Sequence, residues 1–119
     1  MIHVKVIIIG GGPAGSTCAW KLKQHNIHAV VLDKKAFPRP KTCAGWITPK
    51  IVKCLNIRPG EYPYTWQQFN HLNYYFYGRR VRVKTRQYAI RRYEFDHWLL
   101  VRSGIPIVEH HVKSIAKVN

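Results

Sequence analysis

The apolar positions change their spacing along this chain, and each change predicts an element. Val4 to Ile9 is a near-continuous apolar run, with His3 and Lys5 near its start, and predicts a fully buried parallel strand. Gly10-Gly11-Gly12-Pro13-Ala14-Gly15 follows, with Pro13 placed for a first helical turn. The helix is expected to run to about His25 or Asn26, with Ala14, Cys18 and Leu22 on one side at spacings of four. Lys21, Lys23 and His25 stand near its C-terminus, where the dipole favours cations, and Asn26 suits a left-handed stop. Ala29-Val30-Val31-Leu32 predicts a second apolar strand, ending at Asp33.

The stretch from Asp33 to Trp46 loses all periodicity, and its prolines and glycine predict a long loop. Thr48-Pro49 reads as an N-cap and first helical residue, with Ile51, Val52 and Leu55 as a short apolar face. Arg58-Pro59-Gly60 ends that segment, and Glu61 to Gln68 is aromatic and irregular. His71 to Tyr77 and Arg80 to Thr85 predict a hairpin joined at Gly78-Arg79 by a type II′ turn. Its second arm alternates, with Arg80, Arg82, Lys84 and Arg86 on one face and Val81, Val83 and Thr85 on the other. Tyr74 to Tyr77 puts aromatics on both faces, so one face is expected to line a pocket or meet a further part of the protein. Tyr88 to Arg92 reads as a short extended piece. Tyr93 to Arg102 predicts a helix burying Phe95, Trp98 and Leu99, with Gly104 just past its end. Ile105 to Glu109 predicts a third strand beside the second, and Val112 to Val118 the start of another.

The first strand, turn and helix carry the chemistry. Gly10, Gly12 and Gly15 fit G-x-G-x-x-G between a strand and a helix, the context that makes this pattern a dinucleotide fingerprint. Gly10 permits the tight turn, Gly12 admits a pyrophosphate to the backbone, and Gly15 lets the helix pack on the sheet. The helix N-terminus then offers N–H groups and the positive end of its dipole to phosphate. Asp33 ends the second strand, where an acid grips a ribose hydroxyl; its other reading is a turn cap. In the loop that follows, small residues at Ala44 and Gly45 leave room for a flat ligand.

Composition excludes some classes. With 119 residues, the chain has room for one small domain. No run approaches the length of a membrane span and no signal pattern precedes the first strand, so a cytoplasmic protein, peripheral to the membrane at most, is expected. Cys18, Cys43 and Cys54 support neither a disulfide framework nor a zinc site, and Cys18 and Cys54 read as small core residues. Arg39 and Lys41 lie near Cys43 in sequence and favour its thiolate. His110-His111 reads as a surface pair, and no metal site is expected. The net charge of +15 favours anionic partners: nucleic acid, anionic lipid or phosphorylated ligands.

Taken together, the chain resembles the N-terminal part of the geranylgeranyl reductase family, flavoproteins of the p-hydroxybenzoate hydroxylase type. The matching residues are Val6 to Thr17, Leu32-Asp33-Lys34, Phe37-Pro38-Arg39 and Lys41-Thr42-Cys43-Ala44-Gly45, with Arg92-x-x-Phe95-Asp96 a looser match in which Arg91 is the alternative arginine. The resemblance implies an α/β fold: a Rossmann-like FAD-binding β-α-β domain with an inserted β-hairpin, incomplete in these residues. Its parts would be a core over about 3–33, a cofactor loop over 34–46, a hairpin over about 69–86, and a helix and third strand over about 93–110. FAD is the implied cofactor, with Gly10, Gly12, Pro13, Ala14 and Gly15 at its pyrophosphate and Asp33 at its ribose. Cys43, Ala44 and Gly45 would lie along the flavin, and Arg92 would reach the cofactor; no catalytic residue is assigned. NAD(P)H is the implied electron donor, and an isoprenoid or other apolar molecule the substrate. Trp46 stands where the family often has an acid or a small residue, and would narrow the ligand space. The family's Gly-Asp motif and substrate domain are not found here, so a fragment of a longer flavoenzyme is expected.

A second reading is a small basic binding module without redox activity, in which the Arg79 to Arg86 ladder takes nucleic acid or anionic lipid. No nucleic-acid module is recognised, which argues against nucleic acid.

Overall fold

The computed structural model describes residues 3–58 and 60–116. In chain order the elements are β1 (Val6–Ile9), α1 (Pro13–Gln24), β2 (Ala29–Asp33), β3 (Trp46–Ile47), α2 (Pro49–Cys54), β4 (Trp66–Phe76), β5 (Arg79–Ile90), α3 (Arg92–Arg102) and β6 (Ile107–Glu109). They divide between two compact units, the described parts of Met1–Pro40 with Tyr93–Asn119, and Lys41–Arg92.

The first unit is a parallel sheet in the order β1-β2-β6. Val6 to Ile9 pair with Ala29 to Leu32, and Val31 to Asp33 pair with Ile107 to Glu109. β2 therefore lies in the middle, with the expected third strand beside it. Its core is Ile8, Ala19, Ala29, Val31, Leu100 and Ile105, with Val6, Leu22 and Phe37 packed around them. β1 is parallel as expected but not fully buried, since Ile7 and Ile9 are 57% and 54% exposed. The cause is its place at the end of the sheet, where the core cluster takes only the Ile8 side.

α1 stops one residue before its expected end, and Asn26 takes the left-handed conformation at φ +54°. The buried side of α1 is Ser16 and Ala19, whereas Ala14 and Cys18 are exposed. α1 turns its Ser16 and Ala19 side to the core, and Cys18 lies off that side, so it is a surface thiol rather than a core residue. Cys54 is likewise exposed. In α3 the buried residues are Phe95, Asp96, Leu99 and Leu100, and Trp98 is only half-buried. Residues 112–116 form no strand, and the end of that expected strand lies outside the described residues.

The second unit is an antiparallel sheet in the order β3-β5-β4. Thr48 caps α2 as expected, its Oγ1 accepting from the Ile51 N–H at 3.4 Å. The hairpin is longer than the alternation indicated, because β5 runs unbroken through Tyr88 to Ile90. Its turn also differs. Phe76 pairs with Arg79, so the loop residues are Tyr77 and Gly78, at φ +45° and +75°. Two positive φ values make this a type I′ turn, whose twist matches the strands.

The register shifts between Phe69 and His71, which pair with Gln87 and Lys84. The extra residue lies in β5, a β-bulge. It splits the cationic ladder. Lys84, Arg82 and Arg80 face the same way as His71, Asn73 and Tyr75, whereas Arg86 falls on the Trp66, Gln68 and Tyr88 face.

Candidate dinucleotide site

β1 ends in a glycine turn because the chain must reverse from strand to helix within a few residues. Gly10 adopts φ +102°, which a side chain disfavours, and its N–H donates to the Leu32 carbonyl at 2.7 Å. Gly15 is fixed by packing, since a Cβ there would collide with the Gly10 carbonyl oxygen. Gly12 differs from both. It sits at the N-cap of α1 in extended conformation, and a Cβ there meets nothing within 4 Å. The space beside Gly12 is open. No side chain caps the helix, and the Ala14 and Gly15 N–H groups have no carbonyl one turn back inside it. Open space and unclaimed donors at a helix N-terminus are what an anionic phosphate requires.

Asp33 is 5% exposed and closes the other side of the turn. Its Oδ2 accepts from the Gly11 N–H at 2.8 Å and from the Arg39 guanidinium at 3.4 Å, and its Oδ1 from the Lys35 N–H at 3.0 Å. Burial works against its ionisation most strongly. The Gly11 and Lys35 N–H groups and Arg39 together outweigh burial, and hold the carboxyl below its ordinary value. A carboxylate has about four acceptor positions, so these three partners leave one.

A crevice of about 300 Å³ opens beside this cluster at the carboxyl ends of the parallel strands, lined by Ile9, Gly10, Asp33, Arg39, His110 and His111, among others. This is where open α/β sheets bind ligands. The sequence reading missed Arg39 and the histidine pair as lining residues. Arg39 arrives from the loop directly after β2, and the histidines through pairing: β6 lies against β2, and the His110 N–H donates to the Asp33 carbonyl at 2.7 Å. Arg39, assigned from sequence to the neighbourhood of Cys43, pairs with Asp33 instead. Its Nε is buried without a hydrogen-bond partner among the described residues, a donor that a polar ligand group could satisfy.

Gly10, Gly12, Pro13, Ala14, Gly15 and Asp33 thus belong to one unit, with Gly10 and Asp33 lining one crevice. Cys43, Ala44 and Gly45 belong to the other. Cys43 and Ala44 are exposed, and the Gly45 N–H lies 3.5 Å from the Cys43 sulfur. Gly45, at φ +71°, carries no side chain because a Cβ would collide with the Ile90 carbonyl oxygen; its own carbonyl accepts from the Ile90 N–H at 2.8 Å. Strand approach, rather than ligand approach, accounts for that glycine. Arg92 is the half-buried first residue of α3. Among the described residues no group of histidines, cysteines or acids could hold a metal ion, and no helix is long and apolar enough to cross a membrane.

A parallel β-α-β unit, a glycine turn and a crevice at the strand ends define a Rossmann-like dinucleotide-binding domain. The family described as NAD(P)-binding Rossmann-like domain matches residues 8–48. The chain is 30% identical over 99 residues to digeranylgeranylglycerophospholipid reductase 1 of Methanopyrus kandleri, covering 82% of this chain and 26% of that protein. It is 38% identical over 50 residues to geranylgeranyl diphosphate reductase of Rhodobacter capsulatus, covering 42% and 12%. In fold it is similar to a geranylgeranyl bacteriochlorophyll reductase-like protein from Thermoplasma acidophilum, with a TM-score of 0.76 at 19% identity over 87% of this chain and 29% of that one. A flavin-dependent brominase gives a TM-score of 0.81 at 20% identity, over 98% and 32%. Over residues 8–48 the chain is similar to NAD(P)-binding Rossmann-like domains, and its relatives include proteins named digeranylgeranylglycerophospholipid reductase and geranylgeranyl diphosphate reductase. It spans about a quarter of the length of the first curated relatives it matches.

Proposed function

We propose that this chain is the dinucleotide-binding portion of an FAD-dependent oxidoreductase whose substrate is an isoprenoid or other apolar molecule, with NAD(P)H as electron donor. The observation that carries the reading is the open backbone at Gly12 beside the Asp33 crevice. The Gly12, Ala14 and Gly15 N–H groups hold the pyrophosphate, with Gly10 and Pro13 shaping the turn. The remaining acceptor position of Asp33 takes a ribose hydroxyl, and Arg39 Nε donates beside it. Cys43, Ala44, Gly45 and Arg92 are proposed to line the cofactor, from the resemblance in sequence alone. When bound, the flavin supplies the hydride chemistry, while the protein positions it and shields it. The +15 charge and the Arg80, Arg82 and Lys84 face support a cytoplasmic protein held at an anionic membrane surface, tested by sedimentation with anionic vesicles.

The direct test is a thermal melt followed by circular dichroism, with and without FAD. A ligand at a hundred times its Kd stabilises the native state by about 2.7 kcal/mol, so the midpoint rises. A cooperative melt indifferent to FAD would count against the reading.

A further inference from the structure

The second unit contains a cavity of about 400 Å³ that the dinucleotide reading leaves without a use. Its floor is one face of the β4–β5 sheet. Gln68 lies opposite Tyr88 in the register, with Trp66 two residues along on the same face. The turn after α2 brings Tyr62 to the same ring cluster, with ring centroids 5.8 Å from Tyr62 to Trp66 and 4.8 Å from Trp66 to Tyr88. Val52 of α2 and Ile57 add aliphatic wall. Two cations line this largely apolar space, Arg58 and Arg86, and none of its described lining residues is acidic. Glu61, the acid closest to Arg58 in sequence, accepts from the Arg58 N–H at 3.1 Å.

Arg86 is the telling residue. Simple alternation would keep it with Arg80, Arg82 and Lys84. The β-bulge removes it from that ladder and aims it at the cavity face, a known use of bulges beside binding sites. A guanidinium presents a planar fork of donors that matches a carboxylate. The aromatic cluster offers a planar ring both faces and edges to pack against. The volume falls in the lower part of the range for small-molecule sites.

We propose that this cavity is a second ligand site, for an aromatic acid: a flat apolar ring against Tyr62, Trp66 and Tyr88, with its carboxylate on Arg58 and Arg86. The cavity and the dinucleotide crevice share no described lining residue, and the proposal does not depend on FAD binding.

The test is calorimetric titration of the full chain at physiological salt with 2-naphthoate and with its uncharged counterpart, 2-naphthamide. Saturable binding of naphthoate is expected, with affinity reduced about tenfold in Arg86→Gln, or about 1.4 kcal/mol. The same variant should bind naphthamide as the parent chain does. Trp66→Leu should weaken both probes. Arg82→Gln, whose cation lies on the other face, should leave naphthoate binding unchanged, and a saturating excess of FAD should not displace naphthoate. A melt of each variant confirms its fold. Absence of saturable binding, equal losses in the Arg82 and Arg86 variants, or displacement by FAD would each overturn the proposal. The middle result would mean that the overall positive field, rather than this cavity, collects the anion.

Discussion

Gly12 and Gly15 look equivalent in the fingerprint, but the geometry assigns them opposite sensitivities. A Cβ at Gly15 meets the Gly10 carbonyl oxygen at impossible range, the carbonyl carbon at 3.0 Å and Ile8 Cγ2 at 3.2 Å. Two of those three atoms are backbone, so Gly15→Ala must push α1 away from the turn. Overpacking of this kind costs about 1–3 kcal/mol, or roughly 3–12 °C in Tm for a domain of this size. The Cβ of Gly12→Val meets no atom within 4 Å, and the N-cap φ of −67° with ψ of −176° suits any residue. An apolar N-cap is less favourable than glycine, but replacing glycine lowers the entropy of the unfolded chain, and the two effects offset to within about 1 kcal/mol. Its isopropyl group would instead occupy the path of the pyrophosphate. The expected result is therefore a crossed pair: Gly15→Ala with a depressed midpoint, and Gly12→Val with a parental midpoint and no FAD-induced rise. Melts by circular dichroism, paired with equilibrium dialysis against FAD, read both quantities. The reasoning fails if Gly12→Val retains FAD, or if it lowers the midpoint as far as Gly15→Ala does.

Asp33 predicts a pH signature. Its carboxyl titrates below the unfolded value of 3.8, so the folded state binds the proton more weakly than the unfolded state. Its stabilisation is present above that value and lost as pH falls through the lower folded value. Melts from pH 7 to pH 2 should thus show the parent chain converging on Asp33→Asn in acid, and a constant gap would contradict the assignment. The thiols give a simpler count: Cys18, Cys43 and Cys54 are all exposed, so each should react with a disulfide reagent in the native chain, and a thiol that reacts only after denaturant would be misplaced.

The parallel unit was largely legible in the sequence because its signals are local. A β-branched run, a glycine turn, a proline at the helix start and a second apolar run each constrain their own neighbourhood. Several of the features that escaped were set by pairing. His110 and His111 join Asp33 at the crevice only once β6 is laid beside β2, a juxtaposition spanning some 77 residues of chain, and Arg39 reaches Asp33 through the folding back of a loop six residues long. Arg86 leaves its ladder because of a bulge that no local pattern announces. Cys18 was misjudged for a different reason. Hydrophobicity ranks cysteine as a core residue, but α1 turns Ser16 and Ala19 to the core and leaves Cys18, with Ala14, on its exposed side. The turn was misplaced because Tyr77, not a glycine, takes the first left-handed position.

The end position of β1 has a colloidal consequence. Among the described residues it is paired only with β2, so its far edge presents a row of backbone donors and acceptors beside the exposed side chains of Ile7 and Ile9. Such an edge templates the addition of another strand. The net charge of +15 keeps copies of the chain apart, but only over a Debye length, which shrinks from about 30 Å at 0.01 M salt to about 3 Å at 1 M. The chain's solubility is therefore set by a contest between a sticky edge and a screened charge, and adding salt tilts that contest toward assembly.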